Sequence, residues 1–137
     1  MNVAFLLTPK SEVAWLPAEA TVQEALDHME ISRHTAVPIL DGGGLYVGTV
    51  TDGDLLRHIR HAEGAARDTA LATTLLAVER RMQNRPVRID ADLETLVARA
   101  IVQSFVPVID DRDVFVGIVR RQHIFEHTAK RAGLLPP

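Results

Sequence analysis

Runs of apolar residues come in pairs along this chain, and the pair occurs twice. Val37-Pro38-Ile39-Leu40-Asp41 is followed by Leu45-Tyr46-Val47-Gly48-Thr49-Val50, and Val106-Pro107-Val108-Ile109-Asp110 by Val114-Phe115-Val116-Gly117-Ile118-Val119. Pro38 and Pro107 lie 69 positions apart, as do Gly48 and Gly117, so the two stretches align without a gap. A repeat of this regularity marks a duplication. In each copy the runs flank a turn, Asp41-Gly42-Gly43-Gly44 or Asp110-Asp111-Arg112-Asp113. Short runs rich in Val, Ile and aromatics around such a turn predict a β-hairpin.

After each hairpin the apolar period changes from two to about 3.6, which predicts a helix. Its apolar positions are Leu55, Leu56 and Ile59 in the first copy and Ile124, Phe125 and Thr128 in the second. A second amphipathic helix precedes each hairpin. One runs from Val22 to Glu30 with Val22, Ala25, Leu26 and Met29 on one face; the other runs from Leu93 to Val102 with Leu93, Leu96, Val97, Ala100 and Ile101. Thr21 and Asp92 are suitable N-caps, and Glu24 completes a Thr-x-x-Glu capping box. Short apolar segments, Val13 to Leu16 and Val87 to Ile89, come before these helices.

The predicted unit is therefore β-α-β-β-α, used twice in an α/β (α+β) fold. Residues 1–62 form the first repeat and 83–137 the second, with a C-terminal helix and a tail that Gly133 and Pro136-Pro137 keep from staying helical. Between them, residues 63–82 connect the copies. The apolar run Leu71 to Val78 is long enough for a helix packed on the core.

Composition narrows the function. Nearly half of the 137 residues are apolar, so a core is available, but one Trp, one Tyr and four Phe leave little stacking surface. The net charge of −3, with both signs mixed along the chain, makes no field that would gather a polyanion such as DNA. No apolar run reaches the roughly 18–20 residues of a membrane span, and the opening residues lack the basic region and cleavage site of a signal peptide. The expectation is a cytoplasmic protein with neither nucleic acid nor membrane as partner. The absence of cysteine removes disulfides, thiol nucleophiles and thiolate zinc sites.

The stretch with most chemical content is Gly48-Thr49-Val50-Thr51-Asp52-Gly53-Asp54-Leu55-Leu56, where the hairpin's last strand meets the following helix. A helix N-terminus presents unpaired N–H groups and a positive dipole end, a natural seat for an anion. Thr51 can either cap the helix or bond a phosphate there. Asp54 has two acceptor oxygens that match the vicinal hydroxyls of a ribose. The same Thr-x-x-Asp pattern also describes a capping box that holds no ligand.

In order and spacing these segments resemble the CBS-domain family. Leu7-Thr8-Pro9-Lys10 is similar to that family's opening, Ala36-Val37-Pro38-Ile39 to its central strand, and Gly48 to Asp54 to its Gly-h-h-Thr-x-x-Asp signature, h being apolar or small. In the second copy Asn84-Arg85-Pro86-Val87, Phe105-Val106-Pro107-Val108 and Gly117-Ile118-Val119 take the same places. The resemblance implies a tandem pair, a Bateman module, with the two repeats packed sheet to sheet, often as a homodimer. It further implies clefts for AMP, ATP, S-adenosylmethionine or cyclic di-AMP, with the nucleotide as a regulatory ligand rather than a required cofactor. By that resemblance Asp54 would hold ribose, Thr51 ribose or phosphate, and Ala36, Val37 and Pro38 would line the adenine slot, as Val106 and Pro107 would in the second copy. Such a module regulates an effector protein rather than catalysing a reaction. The alternative is a CBS dimer whose sites have decayed and which serves as an interaction scaffold.

The second copy departs from the signature, with Arg120 at the Thr position and His123 at the Asp position. Two readings stand side by side. Arg120 and Arg121 suit the phosphates of a larger or cyclic nucleotide, with His123 beside them; or the second site is empty and its arginines solvated. His123-Ile124-Phe125-Glu126-His127 also spells the inverted zinc-hydrolase motif His-x-x-Glu-His. No His, Asp or Glu follows His127 to complete a zinc site, and His127 aligns with His58 in the repeat. Among other signals, Gly42-Gly43-Gly44 is a turn and not a phosphate loop. His28, His34, His58 and His61 read as surface residues, and Arg80, Arg81, Arg85 and Arg88 as a solvated face or a phosphate contact.

Overall fold

The computed structural model describes residues 3–62 and 66–137. In chain order its elements are β1 (Thr8–Pro9), β2 (Leu16–Pro17), α1 (Val22–Ser32), β3 (Ala36–Leu40), β4 (Tyr46–Thr51), α2 (Asp52–Arg60), α3 (Ala66–Ala72), β5 (Val87–Arg88), α4 (Leu93–Ala100), β6 (Phe105–Ile109), β7 (Phe115–Arg120) and α5 (Arg121–Arg131). The β-α-β-β-α unit read from the periodicity is present twice. Part of the connecting segment, residues 63–65, lies outside the described residues, as do the first two residues of the chain.

Two compact units result. One comprises Ala14–Gln83; the other joins residues 3–13 to Asn84–Pro137. The first holds a three-stranded sheet in the order β2-β3-β4, the second a four-stranded sheet in the order β1-β7-β6-β5. In both, the central strand pairs in parallel with a two-residue strand and antiparallel with its hairpin mate. The chain's opening, placed with the first repeat by sequence order, thus contributes its strand to the sheet of the second: Thr8 and Pro9 pair with Ile118 and Gly117.

The hairpins form because both turns are tied by their first Asp. Asp41 Oδ1 accepts from the N–H groups of Gly43 (2.9 Å) and Leu45 (2.9 Å), and Asp110 Oδ1 from those of Arg112 (2.8 Å) and Val114 (3.0 Å). The last turn residue is left-handed in each copy, Gly44 at φ 81° and Asp113 at φ 65°. This is the three-residue turn that ends in a bulge, and the strand register shifts at Ile39/Leu40 and Val108/Ile109 accordingly.

Both N-caps act as expected: Thr21 accepts from the Glu24 N–H at 3.1 Å and Asp92 from the Thr95 N–H at 2.8 Å. The Thr95 bonds also hold the Asp92 carboxyl below its ordinary pKa. Val22, Ala25 and Met29 enter one core with Val37, Ile39, Val50, Leu55 and Leu75, while Val3, Leu96, Ala100, Val106, Val108, Val119 and Ile124 build the other.

Two expectations are corrected. The helix expected to continue to Val102 ends at Ala100, so Ile101, expected on its apolar face, stands exposed, as does Val102. The apolar run Leu71 to Val78 is not one helix: α3 stops at Ala72, and a single 3₁₀ turn covers Leu75–Ala77. The reason is a pair of backbone bonds to the start of α1 and the residue before its cap, Val22 N–H to Thr73 carbonyl and Leu75 N–H to Ala20 carbonyl, both 2.9 Å. These draw the segment out of helical register while Leu75 and Val78 still reach the core.

Candidate functional site

Thr51 is the last residue of β4 and the N-cap of α2. Its hydroxyl accepts from the Asp54 N–H at 3.1 Å, and Asp54 Oδ2 accepts from the Thr51 N–H at 3.0 Å, which closes a full capping box. Asp54 is nevertheless 1% exposed. A carboxylate so buried needs partners for its remaining lone pairs. Oδ1 finds two: the Arg57 guanidinium, one turn along the helix, and the Arg81 N–H at 3.3 Å. The Arg57 guanidinium lies over the first turn, where Gly53 leaves room; a Cβ at Gly53 would come within 3.3 Å of Arg57 Nη1.

Asp54 and Arg57 form one wall of a cleft of about 160 Å³, with His58, His61, Glu79 and Arg81 around them. His58 Nε2 lies 3.2 Å from the Ala70 carbonyl, which orients its ring. Ligand pockets for drug-sized molecules usually exceed roughly 300 Å³. The cleft therefore has the size of a sugar or phosphate portion, not of an entire nucleotide. Of the residues singled out in the sequence, Asp54 lines this cleft and Thr51 adjoins it through the capping box, while Arg57 was missed. The available signal was its place three residues after Asp54 on one helix face. Arg81 and Glu79 carried no such signal, since the course of the connecting segment brings them in.

The remaining first-copy candidates lie in β3 and are placed by strand register, outside the lining of the cleft. Ala36 lies directly across from Thr51, and Val37 and Pro38 across from Val50 and Thr49. Val37 and Pro38 are buried and Ala36 is partly exposed. Proline inside a central strand costs a ladder bond, but parallel pairing with β2 covers only Ile39 and Leu40, so Pro38 sits just before it begins. Gly48, at the signature's first position, is overlain by Arg80, whose Nε would be 3.4 Å from a Cβ there. Nearby, burial pushes the Tyr46 phenol up to about 12, against the lowering effect of its bond to Thr49 and of the Arg80 charge.

In the second copy the signature residues are not gathered in this way. Arg120 is the N-cap of α5 without a side-chain cap bond, and His123 is exposed. Arg121 is engaged within the fold, where its Nε donates to the carbonyls of Ala100 (2.8 Å) and Gln103 (3.1 Å) at the end of α4. Val106 and Pro107 are buried in β6. His127 packs against Phe5, ring centroids 4.9 Å apart in an edge-on arrangement. Among the described residues no group of three His, Cys, Asp or Glu side chains could hold a metal ion, and no helix is long and apolar enough to cross a membrane.

The repeated β-α-β-β-α unit, with a capped strand-to-helix junction beside a charged cleft, defines a class: a duplicated α/β module with a small recess at its signature turn. The CBS domain model matches residues 6–61 and 73–130. The chain belongs to the CBS-domain family as a tandem pair. A curated relative from Chlamydia muridarum, an uncharacterized protein, is 29% identical over 136 residues, covering 94% of this chain and 38% of its own length. The chain thus spans well under half of that relative. Among solved structures, CbpB in complex with c-di-AMP is similar at TM-score 0.84 and 21% identity, covering 97% of this chain and 87% of its own. CBSX2 in complex with AMP is similar at TM-score 0.75 and 19% identity, covering 96% and 98%. At such identities the likeness is one of fold.

Proposed function

We propose that this chain is a regulatory module that binds an adenine nucleotide of the AMP, ATP or cyclic di-AMP class and signals its presence to an effector protein, without catalysing a reaction of its own. The observation that carries the reading is the Thr51–Asp54 junction. A buried carboxylate and a threonine hydroxyl meet there beside a cleft that also holds Arg57 and Arg81, with Ala36 across the strands. In this reading Asp54 holds ribose, Thr51 ribose or phosphate, and Ala36, Val37 and Pro38 line the base. Ligands seen in CbpB and CBSX2 are of this chemistry. In the second copy this reading gives the corresponding role to Arg120, His123 and the Val106-Pro107 strand, although they are not gathered as in the first and Arg121 is engaged by α4. The module acts as a cytoplasmic homodimer, and Leu56 and Phe125, exposed at equivalent places in α2 and α5, are among the apolar residues open to such an interface.

The test is thermal unfolding against AMP, ADP, ATP, cyclic di-AMP, S-adenosylmethionine and GTP, with sedimentation of the same samples to read self-association. A ligand at about 100 times its Kd adds roughly 2.7 kcal/mol of stability. The expected outcome is a raised midpoint with one adenine compound, absent with GTP and lost in Asp54→Asn. A flat response to all six overturns the reading in favour of the interaction scaffold.

A further inference from the structure

Asp54 is already occupied. One oxygen takes the Thr51 N–H at 3.0 Å, the other the Arg81 N–H at 3.3 Å and the Arg57 guanidinium. A carboxylate offers about four lone-pair sites, so three of them are spoken for. A ribose diol needs two acceptor directions, and the two backbone N–H groups are fixed by the capping box and by the connecting segment. The side chain of Arg57 is the only one of these partners free to swing, since it is 31% exposed at the cleft.

We infer that Arg57 is a specificity-determining residue that makes the cleft select phosphorylated nucleotides over nucleosides. The inference rests on the nucleotide reading above. Before binding, Arg57 neutralises the buried Asp54; when ribose hydroxyls reach Oδ1, Arg57 leaves and must find another anion. A nucleoside offers none, so its binding breaks an ion pair at a buried carboxylate and leaves both charges poorly paired, a costly state. A 5′-phosphate or a phosphodiester supplies the anion within reach of the same side chain, and guanidinium fits phosphate oxygens in a bidentate fork. The cleft has the size for this exchange, about 160 Å³, and Arg81 adds a second cation to its lining. Glu79 also lines the cleft, so with Asp54 and Glu79 against Arg57 and Arg81 its lining carries no surplus of positive charge while Arg57 is committed to Asp54. Released Arg57 creates that surplus, and only while ribose holds Asp54.

Calorimetric titration of the whole chain with AMP, cyclic di-AMP and adenosine reads the effect. Wild type is expected to bind AMP or cyclic di-AMP at least about tenfold more tightly than adenosine. In Arg57→Gln that ratio collapses: the phosphate compound weakens by about tenfold or more, a loss of about 1.4 kcal/mol, while adenosine holds or tightens. Arg57→Lys keeps the charge without the fork and serves where Gln does not fold; it is expected to narrow the ratio in the same sense. A ratio unchanged by either variant, with binding intact or lowered equally for all three compounds, overturns the inference and leaves the nucleotide reading standing. Wild type that binds none of the three, nor ATP in the same titration, overturns both.

Discussion

At the scale of single residues the duplication provides an internal control. Gly48 and Gly117 hold the same place in the two hairpins, yet their surroundings differ. A Cβ at Gly117 would collide with the Thr8 carbonyl oxygen, because β1 crosses there, and its φ of 155° is outside the range that side chains favour. A Cβ at Gly48 meets only the flexible end of Arg80. Gly117→Ala is therefore expected to cost about 1–3 kcal/mol through displaced backbone, whereas Gly48→Ala stays within about 0.5 kcal/mol. Urea unfolding of the two variants compares them directly, and equal costs would contradict the argument. The same scale explains what could be read in advance. Thr51, Asp54 and the glycines were legible because caps and turns are local in sequence. Arg57's partnership with Asp54 was in principle legible too, by helical spacing. The Arg81 N–H at Asp54 was not, since a contact 27 residues away depends on the path of a loop.

At the scale of elements, hairpins and helix starts followed the apolar period and the caps, but helix ends did not. α4 stops at Ala100 although apolar Ile101 and Val102 would continue the pattern. What fixes that end is a residue from another element: Arg121 Nε donates to the Ala100 and Gln103 carbonyls, satisfying groups that a helix C-terminus leaves open. A cation there also complements the negative end of the helix dipole. Arg121→Ala is expected to destabilise the unliganded chain by about 1.5–3 kcal/mol, the range for hydrogen bonds from a charged donor. If Arg121 instead served a ligand's phosphate, the unliganded midpoint would be unchanged and only the nucleotide-induced shift would fall. The broken helix of residues 71–78 has the same origin. The backbone bonds that Thr73 accepts from Val22 and Leu75 donates to Ala20, at the start of α1, are non-local, and no periodicity in the run itself reports them.

At the scale of the whole molecule, chain order and compact units part company. The sequence divides the copies near residue 62, but residues 3–13 belong with Asn84–Pro137. Val3 is 2% exposed in a core with Leu96, Val106 and Ile124, and β1 completes the edge of the sheet beside β7. Burying a valine side chain is worth about 1.5–3 kcal/mol, and removal of β1 would also strip β7 of its outer partner and uncover an edge. Deleting the first 13 residues, which a repeat boundary drawn from sequence would charge to the first copy, should therefore weaken the second. Native-state hydrogen exchange resolves the two cases because local stability is measured segment by segment. Faster exchange in β6, β7 and α5, with β3 and β4 keeping their protection, is the expected pattern. The reverse pattern would mean that the opening segment serves the repeat it precedes in sequence and that its pairing with Ile118 and Gly117 contributes little to the fold.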